Sequence, residues 1–156
     1  MYQLHRGPRP RGPIVGQRVT FYVSNRRLIP DLSIVEPYIV ISVSSPDRPE
    51  AVLMESEHLR GVLRLSFHDR AEAGDDTVLF GESEARRILD FVAQHHPDVR
   101  VIVTQCAKGN SRSAAIAAAL SRIIQQDDQY IRQCFMPNRR VRETLLEAAR
   151  KLDRGW

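Results

Sequence analysis

The segment from Val99 to Leu120, VRVIVTQCAKGNSRSAAIAAAL, constrains the fold more than any other part of the 156-residue chain. Its first third is apolar and rich in β-branched residues, the composition of a buried strand, and its last third is an alanine run without a breaker, the composition of a closely packed helix. Between them lies a short loop that begins at Cys106 and reaches Arg112 after five residues. A chain that turns so quickly from strand to helix points several backbone N–H groups at one place. Together with the positive end of the helix dipole, those donors form a seat for a phosphate dianion.

The same field acts on sulfur. A free thiol titrates near ~8.5, and a helix N-terminus with neighbouring cations lowers this to roughly 3.5–7.5, so Cys106 is expected to be a thiolate and a nucleophile at neutral pH. Arg112 can return a planar guanidinium to two oxygens of a bound group, a forked contact that lysine cannot make. Gly109 admits backbone angles closed to other residues. Ser113 can offer its hydroxyl to the sulfur and help it depart from a phosphocysteine.

The run Cys106-Ala107-Lys108-Gly109-Asn110-Ser111-Arg112-Ser113, after a strand and before a helix, resembles the signature loop of the protein tyrosine phosphatase superfamily, and within it the compact dual-specificity-like branch. The resemblance extends over most of residues 19–152. It implies an α/β fold, a central and mostly parallel sheet flanked by helices, with the loop at the carboxyl edge of the strands. It also implies hydrolysis of phosphate monoesters without a metal or other cofactor. Cys106 would attack phosphorus, and the amides of Ala107, Lys108, Gly109, Asn110, Ser111 and Arg112, with the Arg112 guanidinium, would hold the phosphate oxygens. The substrate would be a phosphorylated protein carrying phosphotyrosine, phosphoserine or phosphothreonine, or a small phosphomonoester.

In that family the general acid is an aspartate on the loop between a strand and the next helix. Gly61 to Phe67 reads as the strand, and the loop that follows, Asp69 to Phe80, holds Asp69, Glu72, Asp75 and Asp76. Asp69, at the strand end, is the first candidate, and Asp75 and Asp76 are the alternatives. A protonated carboxyl is needed because an alkoxide or phenoxide leaves poorly until it receives a proton, assistance that typically contributes 10²–10⁴-fold, roughly. Gly74 and the acidic cluster suit a segment that moves as a lid. One position departs from the family pattern: Gln105 stands where a histidine usually precedes the cysteine. This leaves a second reading, a pseudophosphatase that binds phosphorylated partners and turns over poorly.

Composition fits a single soluble domain, with 42% hydrophobic and 27% charged residues. No apolar run approaches the ~18 residues of a membrane span, and the N-terminus lacks the apolar core of a secretion signal, so a cytoplasmic location is expected. Cys106 and Cys134 alone do not make a disulfide framework. Cys134 reads as an ordinary buried helical residue, with a protective disulfide to oxidised Cys106 as its functional alternative. The net charge of +4 is carried by the leading segment, where Arg6, Arg9, Arg11, Arg18, Arg26 and Arg27 occur without an acid. No aromatic residue lies among the arginines from Arg6 to Arg18, so nucleic-acid binding is not expected.

The chain divides into a basic Pro/Gly-rich arm, residues 1–17, and a catalytic-type domain, residues 18–156. The arm is expected to be extended and solvated, or to touch an acidic partner or a phosphate near the site. Val19 to Val23 and Tyr38 to Val43 read as strands, the second apolar enough to be buried on both faces. A short helix or turn is expected between Arg26 and Glu36. Glu82 to His95 places Ala85, Ile88, Leu89 and Val92 on one helical face. His95 and His96 read as structural, without a metal-ligating partner at suitable spacing. Asp127 and Asp128 read as an N-cap pair for a short helix ending near Phe135. Asn138 reads as the cap of a last helix striped by Val141, Leu145, Ala148 and Leu152, and as a brace for the fold.

Overall fold

A computed structural model describes residues 2–6, 19–125 and 127–152. The chain forms β1 (Tyr2–Arg6), β2 (Thr20–Asn25), β3 (Tyr38–Ser44), β4 (Leu59–Ser66), α1 (Glu82–His95), β5 (Val101–Cys106), α2 (Arg112–Gln125), α3 (Gln129–Cys134) and α4 (Arg139–Leu152). Single 3₁₀ turns occur at Ile29–Asp31 and His96–Asp98.

The five strands lie in the order β1-β2-β5-β3-β4. β2, β5, β3 and β4 run parallel, and β1 adds to β2 antiparallel. The mostly parallel sheet flanked by helices is therefore present. The segment expected as an arm contributes Tyr2–Arg6 to the sheet, paired Tyr2↔Val23, His5↔Phe21 and Arg6↔Thr20. The apolar-polar alternation of Tyr2-Gln3-Leu4-His5 precedes the Pro/Gly-rich run of residues 7–13 and suits a strand. Residues 1 and 7–18, including the rest of the expected arm, lie outside the described residues.

Alternation along the central strands divides the core in two. Phe21, Val23, Ile39, Ile41, Val43 and Ile102 face the helices, where they meet Ile88, Leu89, Ile116, Leu120 and Leu145. Tyr38, Val40, Val101 and Val103 face the other way, onto Ile29, Leu32, Ile34, Ala51 and Met54 from the two long loops that leave β2 and β3. Both faces of β3 and β5 are thus dry, which explains their unbroken apolar character. β4, at the sheet edge, alternates in exposure as its mixed composition predicts.

α2 is buried from Arg112 to Ser121, on every side of the helix. Only small side chains permit this, because the helix must approach β5 and β2 on one side and α4 on the other. α1 matches its expected span, and Glu84 accepts the Gly81 N–H at 3.1 Å to close its first turn. The two aspartates before α3 do not act as a pair. Asp127 accepts the Gln129 N–H at 3.0 Å, whereas Asp128 turns inward to Arg142 of α4, 2.6 Å away. Cys134, expected to be buried, is exposed on α3. Among the described residues no helix is long and apolar enough to cross a membrane.

Candidate active site

β5 lies between β2 and β3, and the chain leaves both of those strands toward the β4 edge before it returns to β5. Open α/β sheets bind ligands outside the carboxyl ends of their parallel strands, and the end of β5 is such a place. Cys106 is the last residue of β5 and pairs in register with Asn25 at the end of β2. Residues 107–111 then turn the chain into α2.

The shape of this turn follows from its anchors. The Ala107 carbonyl accepts the Arg26 N–H at 3.2 Å, the Asn110 carbonyl accepts the Met136 N–H at 3.1 Å, and the Ser111 carbonyl accepts the Asn138 and Ala115 N–H groups at 3.1 and 2.9 Å. By contrast, none of the backbone N–H groups of residues 107–111 donates to a protein acceptor among the described residues. Gly109 has φ +68°, and a Cβ there would stand 2.8 Å from the Ser24 carbonyl oxygen. Conformation and space both exclude a larger residue.

Cys106 is 2% exposed, yet it lines a pocket of about 490 Å³ with Asp69, Ala107, Lys108, Asn110, Ser111, Arg112 and Met136. Its Sγ lies 3.1 Å from the Ser113 Oγ in the first turn of α2. The Thr104 hydroxyl donates to the Ser113 carbonyl at 2.9 Å and fixes that turn against β5. No acidic residue occupies the first turn of α2.

Arg112 is buried, and its Nη1 donates to Ser45 Oγ at 3.0 Å and to the Phe67 carbonyl at 2.8 Å. Its Nε is buried without a hydrogen-bond partner, and no carboxylate lies in ion-pair range among the described residues. A buried guanidinium without a counter-charge costs several kcal/mol, roughly, unless an anion meets it. Arg112 is one of the residues that line the pocket, and an oxyanion that reached its guanidinium would satisfy both the charge and the donor.

Of the three candidate acids, Asp69 alone lines this pocket; Asp75 and Asp76 are exposed farther along the loop. The loop returns on itself at its base. His68 donates its N–H to the Val78 carbonyl at 2.8 Å, and its Nδ1 accepts the Val78 N–H at 2.9 Å. Asp69 is thereby left at the rim, where its Oδ1 accepts from the Ser111 hydroxyl at 2.7 Å and from Asn138 Nδ2 at 2.9 Å. Glu72 is exposed and does not line the pocket.

Gln105 occupies a dry slot behind the loop, where its Oε1 accepts the Ser42 hydroxyl at 2.5 Å. Arg64 reaches the same Ser42 at 3.4 Å and the Ala51 carbonyl at 2.7 Å. Gln105 thus braces β5 to β3 and has its own partner. Cys134 is not among the pocket residues, and His95 packs at a tilt of 60° against Phe91 with ring centroids 4.8 Å apart.

Sequence reasoning did not reach Ser45, the Phe67 carbonyl or the Ser111 hydroxyl. Ser45 carried a signal only as part of a turn cluster, and a main-chain carbonyl carries none. Asn138 was legible as a helix cap; its second set of contacts was not.

A parallel sheet with a Cys-x5-Arg loop at the carboxyl end of a central strand defines a class of α/β proteins, and comparison with solved structures makes that class specific. A mouse protein assigned as a dual specificity phosphatase, complexed with zinc tungstate, superimposes with a TM-score of 0.59 at 15% identity, over 86% of this chain and 84% of that one. Human DUSP28 gives 0.55 at 13% identity, over 85% and 93%. The human tyrosine phosphatase-like serine/threonine/tyrosine-interacting protein gives 0.50 at 17% identity, over 75% and 79%. The chain has the fold of the dual-specificity phosphatases. No family model matches the sequence, and no curated protein matches it.

Proposed function

We propose that the protein is a cysteine-dependent phosphatase that hydrolyses phosphate monoesters, with phosphorylated tyrosine, serine or threonine side chains as the substrate class, through a phosphocysteine intermediate. The observation that carries the reading is that, among the described residues, neither the buried Nε of Arg112 nor the backbone N–H groups of residues 107–111 meet a protein acceptor, in the pocket that Arg112 and this loop share with Cys106. Fifteen per cent identity to the first structural neighbour supports the fold alone, so the chemistry rests on this geometry.

In the first step the Cys106 thiolate attacks phosphorus and the P–O bond of the ester breaks. The amides of residues 107–112 and the Nε and Nη2 of Arg112 hold the non-bridging oxygens as charge shifts onto them. Asp69 gives its proton to the departing oxygen. In the second step the Asp69 carboxylate takes a proton from water, the water oxygen attacks phosphorus, and the P–S bond breaks. Ser113, 3.1 Å from Sγ, donates to the returning thiolate. The sum is ester plus water to alcohol plus inorganic phosphate, with Cys106 and Asp69 restored.

The test is hydrolysis of an aryl phosphate by the purified chain. Turnover that falls by at least about 10³-fold in Cys106→Ser, with the fold retained, is the expected result. Gln105 favours one second reading, a module that binds phosphorylated partners, because a neutral amide paired to Ser42 cannot supply the charge of a histidine. Vanadate or phosphate binding without turnover would select that reading.

A further inference from the structure

The hydrogen bonds around Asp69 do more than anchor a loop. Its Oδ1 accepts two donors, the Ser111 hydroxyl at 2.7 Å and Asn138 Nδ2 at 2.9 Å, and its Oδ2 meets no protein donor among the described residues. Asn138 is the junction of three elements. Its Nδ2 also donates to the Arg70 carbonyl at 3.2 Å, its backbone N–H donates to the Ser111 carbonyl at 3.1 Å, and its Oδ1 accepts the Val141 N–H at 3.1 Å as the cap of α4. Ser111 belongs to the phosphate loop and directly precedes Arg112.

We propose that Ser111 and Asn138 are positioning residues that clamp the Asp69 carboxyl to the phosphate loop and assign its proton to Oδ2. The inference rests on the reading of Asp69 as general acid and deepens it. Two donors on one oxygen stabilise the lone pairs of that oxygen, so the acidic proton sits on the other. Because the clamp is built from the loop that grips phosphate, the acid is registered to the scissile bond rather than to the surface of the protein. The alignment of acid and leaving oxygen is then inherited from the fold at no further ordering cost.

The charged groups around Asp69 are few. Lys108 and Arg112 share its pocket with Cys106, and Arg70 and His68 adjoin it in the chain, the latter facing Asp47 at 3.8 Å. From α4 the first residues after Asn138 are Arg139 and Arg140, and Arg140 is committed to the Phe80 carbonyl at 2.9 Å. Arg70, Lys108, Arg112, Arg139 and Arg140 are basic side chains, and a carboxylate introduced at position 138 would stand directly beside Asp69, closer to it than His68 Nε2, which faces Asp47.

The experiment uses two substrates, phenyl phosphate and an aryl phosphate with an electron-poor leaving group, on the full chain and four variants. Asp69→Asn is expected to lose far more activity on phenyl phosphate than on the activated ester. Ser111→Ala is expected to repeat that selectivity at about 10-fold, the worth of one hydrogen bond to an ionisable group, and Ser111→Thr to restore it. Asn138→Asp keeps an N-cap acceptor for α4 but replaces the donor to Asp69 with a second carboxyl at hydrogen-bonding distance. Two such carboxyls share a proton, so the alkaline limb of the kcat profile should move to higher pH. If Asp69→Asn is selective, but Ser111→Ala loses equally on both esters and Asn138→Asp leaves the limb in place, the clamp is overturned and the acid stands. If Asp69→Asn loses equally on both, the acid assignment itself fails and takes the clamp with it.

Discussion

Gly109 and Arg112 show how much of this site is set by single residues. At Gly109 two independent constraints coincide: the +68° φ value and the 2.8 Å approach to the Ser24 carbonyl. Gly109→Ala is therefore expected to destabilise the protein by about 1–3 kcal/mol, from left-handed strain plus displacement of the end of β2. A urea titration measures this, and an unchanged midpoint would mean that the loop relaxes freely. Arg112 has a structural edge, in which Nη1 ties the ends of β3 and β4 through Ser45 and the Phe67 carbonyl; its Nε, without a partner among the described residues, is the edge that the proposed function gives to an oxyanion. The spacing of Cys106 and Arg112 was legible in the sequence, because loop length and residue type suffice to define it. Asp69 was preferred over Asp75 and Asp76 for its place at the strand end; that it lines the pocket depends on how His68 and Val78 close the base of the loop, which no local pattern encodes.

At the scale of elements, α2 is the most constrained part of the molecule. Its alanines 114, 115, 117, 118 and 119 are all fully buried, so the helix has no face that could absorb a larger side chain. Ala118→Leu is expected to cost about 1–3 kcal/mol by overpacking, although leucine has nearly the helix propensity of alanine. Thermal denaturation separates the two effects, and a neutral or stabilising result would contradict the tight contact of α2 with β5 and α4. The alanine run announced this burial in advance, since a helix rich in small apolar residues has no other use for them. The pairing of α3 with α4 was less visible. Asp128 looked like a cap because it precedes a helix, but Arg142 lies 14 positions on and its approach depends on the angle between helices.

At the scale of the whole molecule, strand order places the site. Inserting β5 between β2 and β3 puts the cysteine loop between the end of β2, which supplies the Arg26 N–H and the Ser24 wall, and the ends of β3 and β4, which hold Arg112. The parallel sheet flanked by helices was what the resemblance carried by residues 106–113 implied, and the apolar and amphipathic runs gave the individual strands and helices. The strand Tyr2–Arg6 was not, because pairing at a sheet edge depends on β2 being free on that side, which no local pattern encodes. The central claim, that Cys106 becomes covalently phosphorylated during turnover, is tested most directly by acid quenching the reaction on the millisecond scale and mapping the modified peptide by mass spectrometry. The account predicts one phosphoryl group on Cys106, lost in Cys106→Ser and more abundant when Asp69→Asn slows its hydrolysis. Turnover with no such adduct, or with phosphate carried on another residue, would contradict it.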